Sequence, residues 1–210
     1  ALMGERIGVD ITNMIYDTAE VILSEAKEMN DYEGLQFEVM QTFAMEVPFD
    51  ETTFQSTKAS KLSDLLAEAA MESFKRRMDK LAAVANPVIQ KVYEEKGQMY
   101  ENILVPISDG KRVYNIAVNL KKAAETDSKE VIREFEKRML LFVIDDEWKE
   151  HLRRLADLQQ SATNATYEQK DPLLIYKIES FNIFKEMLDG LNRRAISILL
   201  RGQIPTADPQ

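Results

Sequence analysis

The sequence predicts an all-α chain, mainly helical and elongated, with an antiparallel helical hairpin toward its end and one small β hairpin near its middle. Three observations carry that reading. Apolar side chains recur at spacings of three and four over most of the 210 residues, the period of an α-helix. Only 103–118 reads otherwise, as two β-rich runs around an Asp-Gly pair. From Trp148 to Pro172, one amphipathic segment ends in a polar tip and a second begins.

Taken in order, Ile11, Ile15, Ala19, Ile22, Ala26 and Met29 form the first helical stripe, which ends between Asn30 and Gly34. Phe37, Met40 and Phe43 predict a shorter helix stopped by Pro48. Val47 to Thr57 reads as a loop in which Asp50, Thr52, Thr53 and Ser56 offer caps. A long helix follows from about Ser60, with Leu62, Leu65, Leu66, Ala69, Phe74 and Met78 on one broad apolar face. Asn86-Pro87 should kink or break it, and Val88 to Tyr93 resumes it before Gly97.

Ile103 to Ile107 and Arg112 to Val118 then flank Ser108-Asp109-Gly110-Lys111, the strongest short-range hairpin cue. Pro106 confines its strand to an edge, and two strands alone are marginal, so the hairpin must lean on helices or on a partner. Thr126, Asp127 and Ser128 cap a helix through Val131, Phe135, Met139 and Phe142, which runs into the next apolar stripe. That stripe is Ile144, Trp148, Leu152 and Leu155. Its counterpart is Leu174, Ile178, Phe181, Phe184, Leu188, Leu191, Ala195 and Ile198. Between them, 161–167 has too few large apolar residues to extend either. Asp171 is a good N-cap, and Pro172 at the first helical position wastes no donor. Two stripes joined by a short polar connection make an antiparallel hairpin, with Tyr167 the single aromatic at its tip. Arg201 to Gln210, with two prolines and little apolar content, should fray.

Composition excludes several classes. Lys plus Arg total 27 against 36 Asp plus Glu, a formal net charge of −9, which disfavours nonspecific nucleic-acid binding. Cysteine is absent, which rules out disulfides and thiolate metal sites and suits a reducing compartment. No apolar run approaches the roughly 20 residues needed to cross a bilayer, and no signal peptide opens the sequence. The seven glycines are scattered, and none lies in a Gly-x-x-x-x-Gly-Lys-Ser/Thr phosphate loop.

Few residues carry chemistry. His151 is the sole histidine, and with no soft ligand nearby it reads as a polar contact rather than a general base or metal ligand. Asp145, Asp146 and Glu147 read as a solvated helix face. Trp148 sits in register for a core position within the hairpin stripe. From periodicity alone, Tyr167 simply folds back onto the hairpin.

Those same residues carry a resemblance. Trp148-Lys149-Glu150-His151-Leu152, the tip Tyr167-Glu168-Gln169-Lys170-Asp171-Pro172, and Tyr176-Lys177-Ile178-Glu179-Ser180-Phe181 together resemble the two-helix finger of the SecA family. SecA proteins are ATP-driven motors that push preproteins through the SecY channel of the bacterial plasma membrane. The likeness is specific over 148–181, because it rests on fixed-spacing residues of different chemical types. A weaker likeness covers the rest. It implies the end of the scaffold's long helix at 1–28, a helical wing domain at 29–127 with the β hairpin near 103–118, the helical scaffold and finger at 128–202, and a frayed tail at 203–210. It also implies that the chain is the C-terminal part of a larger protein, and Ala1-Leu2-Met3-Gly4 reads as an arbitrary cut. The β hairpin departs from the family's pattern.

The resemblance implies roles as well. Tyr167, Gln169 and Lys170 would contact preprotein and the SecYEG channel, and tyrosine offers sequence-tolerant contact at modest entropy cost. Lys170, Gln169 and Arg153-Arg154 would meet channel loops or lipid headgroups, against a plain solvated reading for each. Trp148 and His151 would pack against the upstream motor domains. No catalytic residue, cofactor or metal is assigned to the chain itself: ATP and magnesium belong to the upstream motor, and zinc to a Cys-rich tail found in some relatives. The expected setting is cytoplasmic, peripherally associated with the inner membrane at the translocon. Without its motor, the chain is expected to self-associate as a homo-oligomer or to repack. The alternative is a free-standing helical adaptor or interaction module, which stripes and composition alone support equally. A small hydrolase lacks a paired base and nucleophile.

Overall fold

The computed structural model describes residues 2–164 and 171–205, with the side chains of 2–7, 9, 162–164 and 172 left aside. Among the described residues there are seven helices and one two-stranded sheet: α1 (Leu2–Met29), α2 (Tyr32–Phe43), α3 (Glu51–Ser56), α4 (Ala59–Lys96), β1 (Asn102–Ser108), β2 (Val113–Asn119), α5 (Leu120–Glu125), α6 (Lys129–Asn164) and α7 (Pro172–Arg201). The mainly helical reading with one small β hairpin holds. The chain divides into two compact units, Ala1–Met139 with Ile196–Gln210, and Leu140–Ala195.

In the first unit, α1 packs on α4. Ile11, Ile15, Ala19, Ile22, Leu23 and Ala26 meet a core that includes Leu62, Leu66 and Ala70, and all are buried. Met29, expected at the end of the α1 stripe, is 76% exposed, because the helix ends there and Asn30 turns into the left-handed region at φ 53°. Asp31 then caps α2 by accepting from the Gly34 N–H at 2.8 Å. The buried face of α2 is Leu35, Val39, Thr42 and Phe43, whereas Phe37 and Met40 are exposed. The expected triad therefore shared one true core position, Phe43.

The expected loop at 47–57 contains a helix. Asp50 caps α3 through the Thr53 N–H at 2.8 Å, which lets a six-residue turn form and drives Phe54 into the core. The Lys27 ammonium sits 4.8 Å from the centre of the Phe54 ring and donates to the Phe54 carbonyl. The Tyr32 hydroxyl donates to Phe49 O at 2.5 Å.

Helix α4 runs unbroken through Pro87. Pro87 has no N–H to return to the preceding turn, but the polar groups around it are tied elsewhere. Asn86 Oδ1 accepts from the Ser128 hydroxyl at 3.1 Å and from Gln90 Nε2 at 3.3 Å, and the same Gln90 nitrogen donates to Ala124 O at 2.8 Å. These bonds dock the short, unanticipated α5 and the turn before α6. In that turn Asp127 and Ser128 both take left-handed φ, and Thr126 Oγ1 caps α6 through the Glu130 N–H at 3.1 Å. Leu65, expected on the α4 core face, is 39% exposed; Ala67 and Ser73 take buried places instead.

β1 and β2 pair antiparallel with Val105 opposite Ile116 and Ile107 opposite Tyr114. Val105, Ile107, Ile116 and Val118 face the core. The connection is the four residues Asp109 to Arg112 rather than a two-residue turn. Gly110 takes φ +87°, and Asp109 Oδ1 accepts from the N–H groups of Lys111 and Arg112, both at 2.8 Å. Burial works against the Asp109 charge; the Arg112 and Lys111 N–H groups and the Tyr114 hydroxyl outweigh it and hold the carboxyl below its ordinary range.

Of the tail expected to fray from Arg201, the described part through 205 is tied down, and 206–210 lies outside the described residues. Gln203 exchanges two backbone bonds with Ser108, 2.7 and 2.9 Å. Those bonds lie on the outer edge of β1, where Pro106, two residues away, has no N–H to lose.

Arg77 gathers these parts. Its Nη1 donates to Leu200 O at 2.7 Å, Nη2 to Ala44 O at 2.7 Å, and Nε to Ser73 Oγ at 3.3 Å. Both carbonyls lie at helix C-termini, where orphaned acceptors and the negative end of the macrodipole favour a cation. Arg201 adds Nη2 to Met40 O at 2.9 Å and Nη1 to Ser197 Oγ at 2.6 Å. Gly202 follows because a Cβ there would come within 2.7 Å of the Phe135 ring.

Replacing Arg77 by Met keeps the apolar stem and leaves two carbonyls short of a donor. It should lower unfolding free energy by about 3 kcal/mol in urea with little change in slope, and Lys should recover only part of that. A loss below about 0.5 kcal/mol would show that the arginine is not a structural tie. Glu136 supports a pH prediction. Burial pushes its carboxyl up from 4.5 to about 7, and Arg133 draws it only partly back. The fold thus prefers the neutral acid. That contribution is complete below about 4.5 and is lost as pH rises through about 7. Stability should therefore fall by up to about 3 kcal/mol across that window and should not do so in Glu136→Gln, as read by urea melts at several pH values.

Candidate functional site

The second unit is a helical hairpin built from the C-terminal part of α6 and most of α7. Its register comes from long-range pairs. Arg194 meets Asp146 at 2.6 Å and Glu147 at 2.9 Å, the His151 ring meets Phe184, and Arg154 meets Glu186 at 2.6 Å. Positions 146 and 147 on α6 meet 194 on α7, whereas 151 and 154, further along α6, meet 184 and 186, so the two helices run antiparallel.

Arg194 anchors the base. Burial opposes its charge, but the hydrogen bonds it donates to Glu147 and Asp146 outweigh burial and hold its pKa above the usual value. Its guanidinium also lies 5.4 Å from the Phe142 ring centre. The acidic run at 145–147 is therefore not simply solvated. Asp145 pairs with Lys149 at 2.6 Å, and the other two hold Arg194.

His151 and Trp148 exchange their expected places. His151 is 4% exposed, stacked obliquely on Trp148 at 5.3 Å and edge-on to Phe184 at 5.7 Å. Its Nδ1 has no hydrogen-bond partner among the described residues, so the expected polar contact is absent from that nitrogen. Trp148, expected in the core, is 46% exposed. The helical period is right for both, but the contact seam runs along Val143, His151 and Met187 rather than along Trp148.

Consequently the hairpin displays apolar surface. Ile144 and Leu152 on α6, and Leu174, Ile178, Phe181 and Leu188 on α7, are each more than 40% exposed. Exposed apolar side chains repeated along both helices are the kind of surface that a partner covers. Tyr167, Gln169 and Lys170, the expected tip contacts, lie outside the described residues. Sequence reasoning missed Arg194 and Glu186 altogether. Their partners are 47 and 32 residues away, and no local pattern reports such pairs.

No cluster of His, Cys, Asp or Glu that could hold a metal occurs among the described residues. No helix among them is long and apolar enough to cross a membrane. The arrangement offers binding surface: two antiparallel helices joined by ion pairs at Arg194 and Arg154, with exposed apolar side chains along both.

Comparison with known proteins agrees with the finger-like motif. The family model described as "SecA Wing and Scaffold domain" matches residues 1–203, a span that includes the β hairpin. Among curated proteins, "Protein translocase subunit SecA" of Bacteroides thetaiotaomicron is 57% identical over 208 residues, covering 99% of this chain and 18% of that protein. The protein of the same name from Phocaeicola vulgatus is 53% identical over 210 residues, covering 100% of this chain and 19% of its own length. That from Christiangramia forsetii is 42% identical over 206 residues, covering 98% and 18%. The chain thus spans under a fifth of the length of the relatives it matches. With the match running from residue 1 through 203, and with the hairpin built where the finger motif predicted one, the chain belongs to the SecA wing and scaffold domain family.

Proposed function

We propose that the chain is the non-catalytic wing, scaffold and finger portion of an ATP-driven SecA-type protein translocase. In this reading it contacts preprotein and the SecYEG channel and couples them to an upstream ATPase motor. The observation that carries the reading is the exposed apolar length of the hairpin, which needs a partner to be covered. The family relation and the relatives' printed name support a partner of the translocation machinery.

The parts take distinct roles. Residues 1–28 close the scaffold's long helix, 29–127 form the wing, and 128–202 form the scaffold and finger. Trp148 packs on the motor domains, with His151 holding it from beneath. Tyr167, Gln169 and Lys170 at the tip meet preprotein and channel. ATP and magnesium act on the upstream motor, and the assembly works peripherally at the inner membrane.

The test is a steady-state ATPase assay on the separately purified upstream motor, with and without this chain. Addition of the chain should suppress turnover. Trp148→Ser, a change at a half-exposed position, should weaken that suppression about tenfold or more while leaving helicity intact. No binding and no suppression by the unaltered chain would refute the scaffold role and favour a free-standing adaptor. In the full-length protein, Tyr167→Ala should cut preprotein translocation by about tenfold with ATPase suppression unchanged. Translocation at the unaltered rate would remove Tyr167 from the contact.

A further inference from the structure

Two cavities adjoin on one side of α4, both lined by residues of the first unit. One, of about 780 Å³, is lined by Arg76, Arg77, Lys80 and Arg201, and no carboxylate lines it among the described residues. The other, of about 650 Å³, lies between the C-terminal half of α4 and the edge of β1, where Val88, Ile89, Val92, Tyr100 and Leu104 line it. Glu95 and Lys96 are the only charged side chains among its described lining. Val84 and Ile204 line both cavities, so the basic space and the apolar one adjoin across apolar side chains.

The basic cavity is unusual for this chain. The whole sequence carries a formal charge of −9, yet four cations converge here. Arg76 and Lys80 are exposed and make no ion pair among the described residues. Burial, and then the like charges of Arg76 and Arg201, disfavour the charged form of Arg77. The three bonds that hold the Arg77 guanidinium leave two of its five N–H groups without a protein acceptor among the described residues. An anion entering this space would gain charge-assisted bonds and relieve the crowding. In the neighbouring groove, Val88 is 65% and Leu104 is 66% exposed, so apolar area is available to a ligand without any side chain moving.

We propose that this side of α4 binds a phosphate-headed amphiphile, its phosphate among Arg76, Arg77, Lys80 and Arg201 and its apolar body along Val84, Val88 and Leu104. The arginine forks match phosphate geometry, and the apolar groove supplies burial worth about a tenfold gain in affinity for every two buried methylenes or so. The same chemistry is offered by a soluble acyl phosphate and by a bilayer lipid.

Isothermal titration of the full chain distinguishes these. The probes are monomeric dihexanoyl phosphatidic acid, monomeric dihexanoyl phosphatidylcholine, inorganic phosphate, and vesicles containing long-chain phosphatidic acid. The phosphatidic acid monomer should bind about tenfold or more tighter than either phosphatidylcholine or inorganic phosphate. Joint replacement Arg76→Gln and Lys80→Gln should weaken it about tenfold to a hundredfold. Val88→Ser or Leu104→Ser should weaken it about tenfold without affecting inorganic phosphate. All four positions are exposed, so the fold should survive, and Lys91→Gln, elsewhere on α4, serves as the charge control. Binding of monomer alone supports a soluble ligand, and binding of monomer and vesicles supports a bilayer lipid. Equal affinity for phosphatidylcholine or for inorganic phosphate, an equal effect of Lys91→Gln, or no binding of any probe would overturn the proposal.

Discussion

The Arg77 guanidinium reaches the carbonyl of Ala44, which closes α2, and the carbonyl of Leu200, at the end of α7. Much of the first unit depends on that one group. Two helix ends, 156 residues apart by number, each present acceptors that no backbone N–H satisfies. A lysine would bring a single point of charge, whereas the planar fork serves both ends and Ser73 at once. With α7 tied there, Gly202 can turn against Phe135 and Gln203 can pair with Ser108, which gives the β hairpin a third partner along its edge. The two-stranded sheet, marginal alone, is stable because a tail 95 residues later is delivered to it.

The second unit is stabilised on a different principle. Its buried apolar residues are few: Leu140, Val143, Met187 and Ala195, with His151 among them. Ion pairs to Arg194 set the register, and oblique ring contacts to His151 fill the seam. Each of these is worth little if fully solvated. Their value lies in geometry, because they hold two helices side by side while the outward stripe stays uncovered. A hairpin that buried all its apolar residues internally would be more stable alone and would have nothing left to offer a partner.

Buried and exposed stripes look alike in a sequence, and this accounts for most of the differences between expectation and structure. Phe37, Met40, Leu65 and Trp148 have the correct helical spacing and lie outside the core. Conversely, Thr42, Ser73 and His151 are polar residues that tertiary contacts bury, and no apolar period marks them. The six-residue helices α3 and α5 escaped notice because a single turn carries too few apolar positions to show a period. At Pro87 the local rule predicted a kink or a break; side chains from 90 and 128 tie the neighbouring Asn86, and the helix is not broken there.

Local chemistry determined a good deal by itself. The helices, the Asp-Gly hairpin, the Asp50 and Asp171 caps and the finger motif all depend on neighbours within a few residues, and each is legible for that reason. The family followed from residues 148–181, where unlike side chains recur at fixed spacing. Only the tertiary structure decided which apolar stripe is covered, where Arg77 and Arg194 find their acceptors, and that a basic cavity adjoins an apolar groove beside α4. Those outcomes join residues tens of positions apart. Distance along the chain leaves no periodic trace of them, and the free energy of burial is set only when the elements meet.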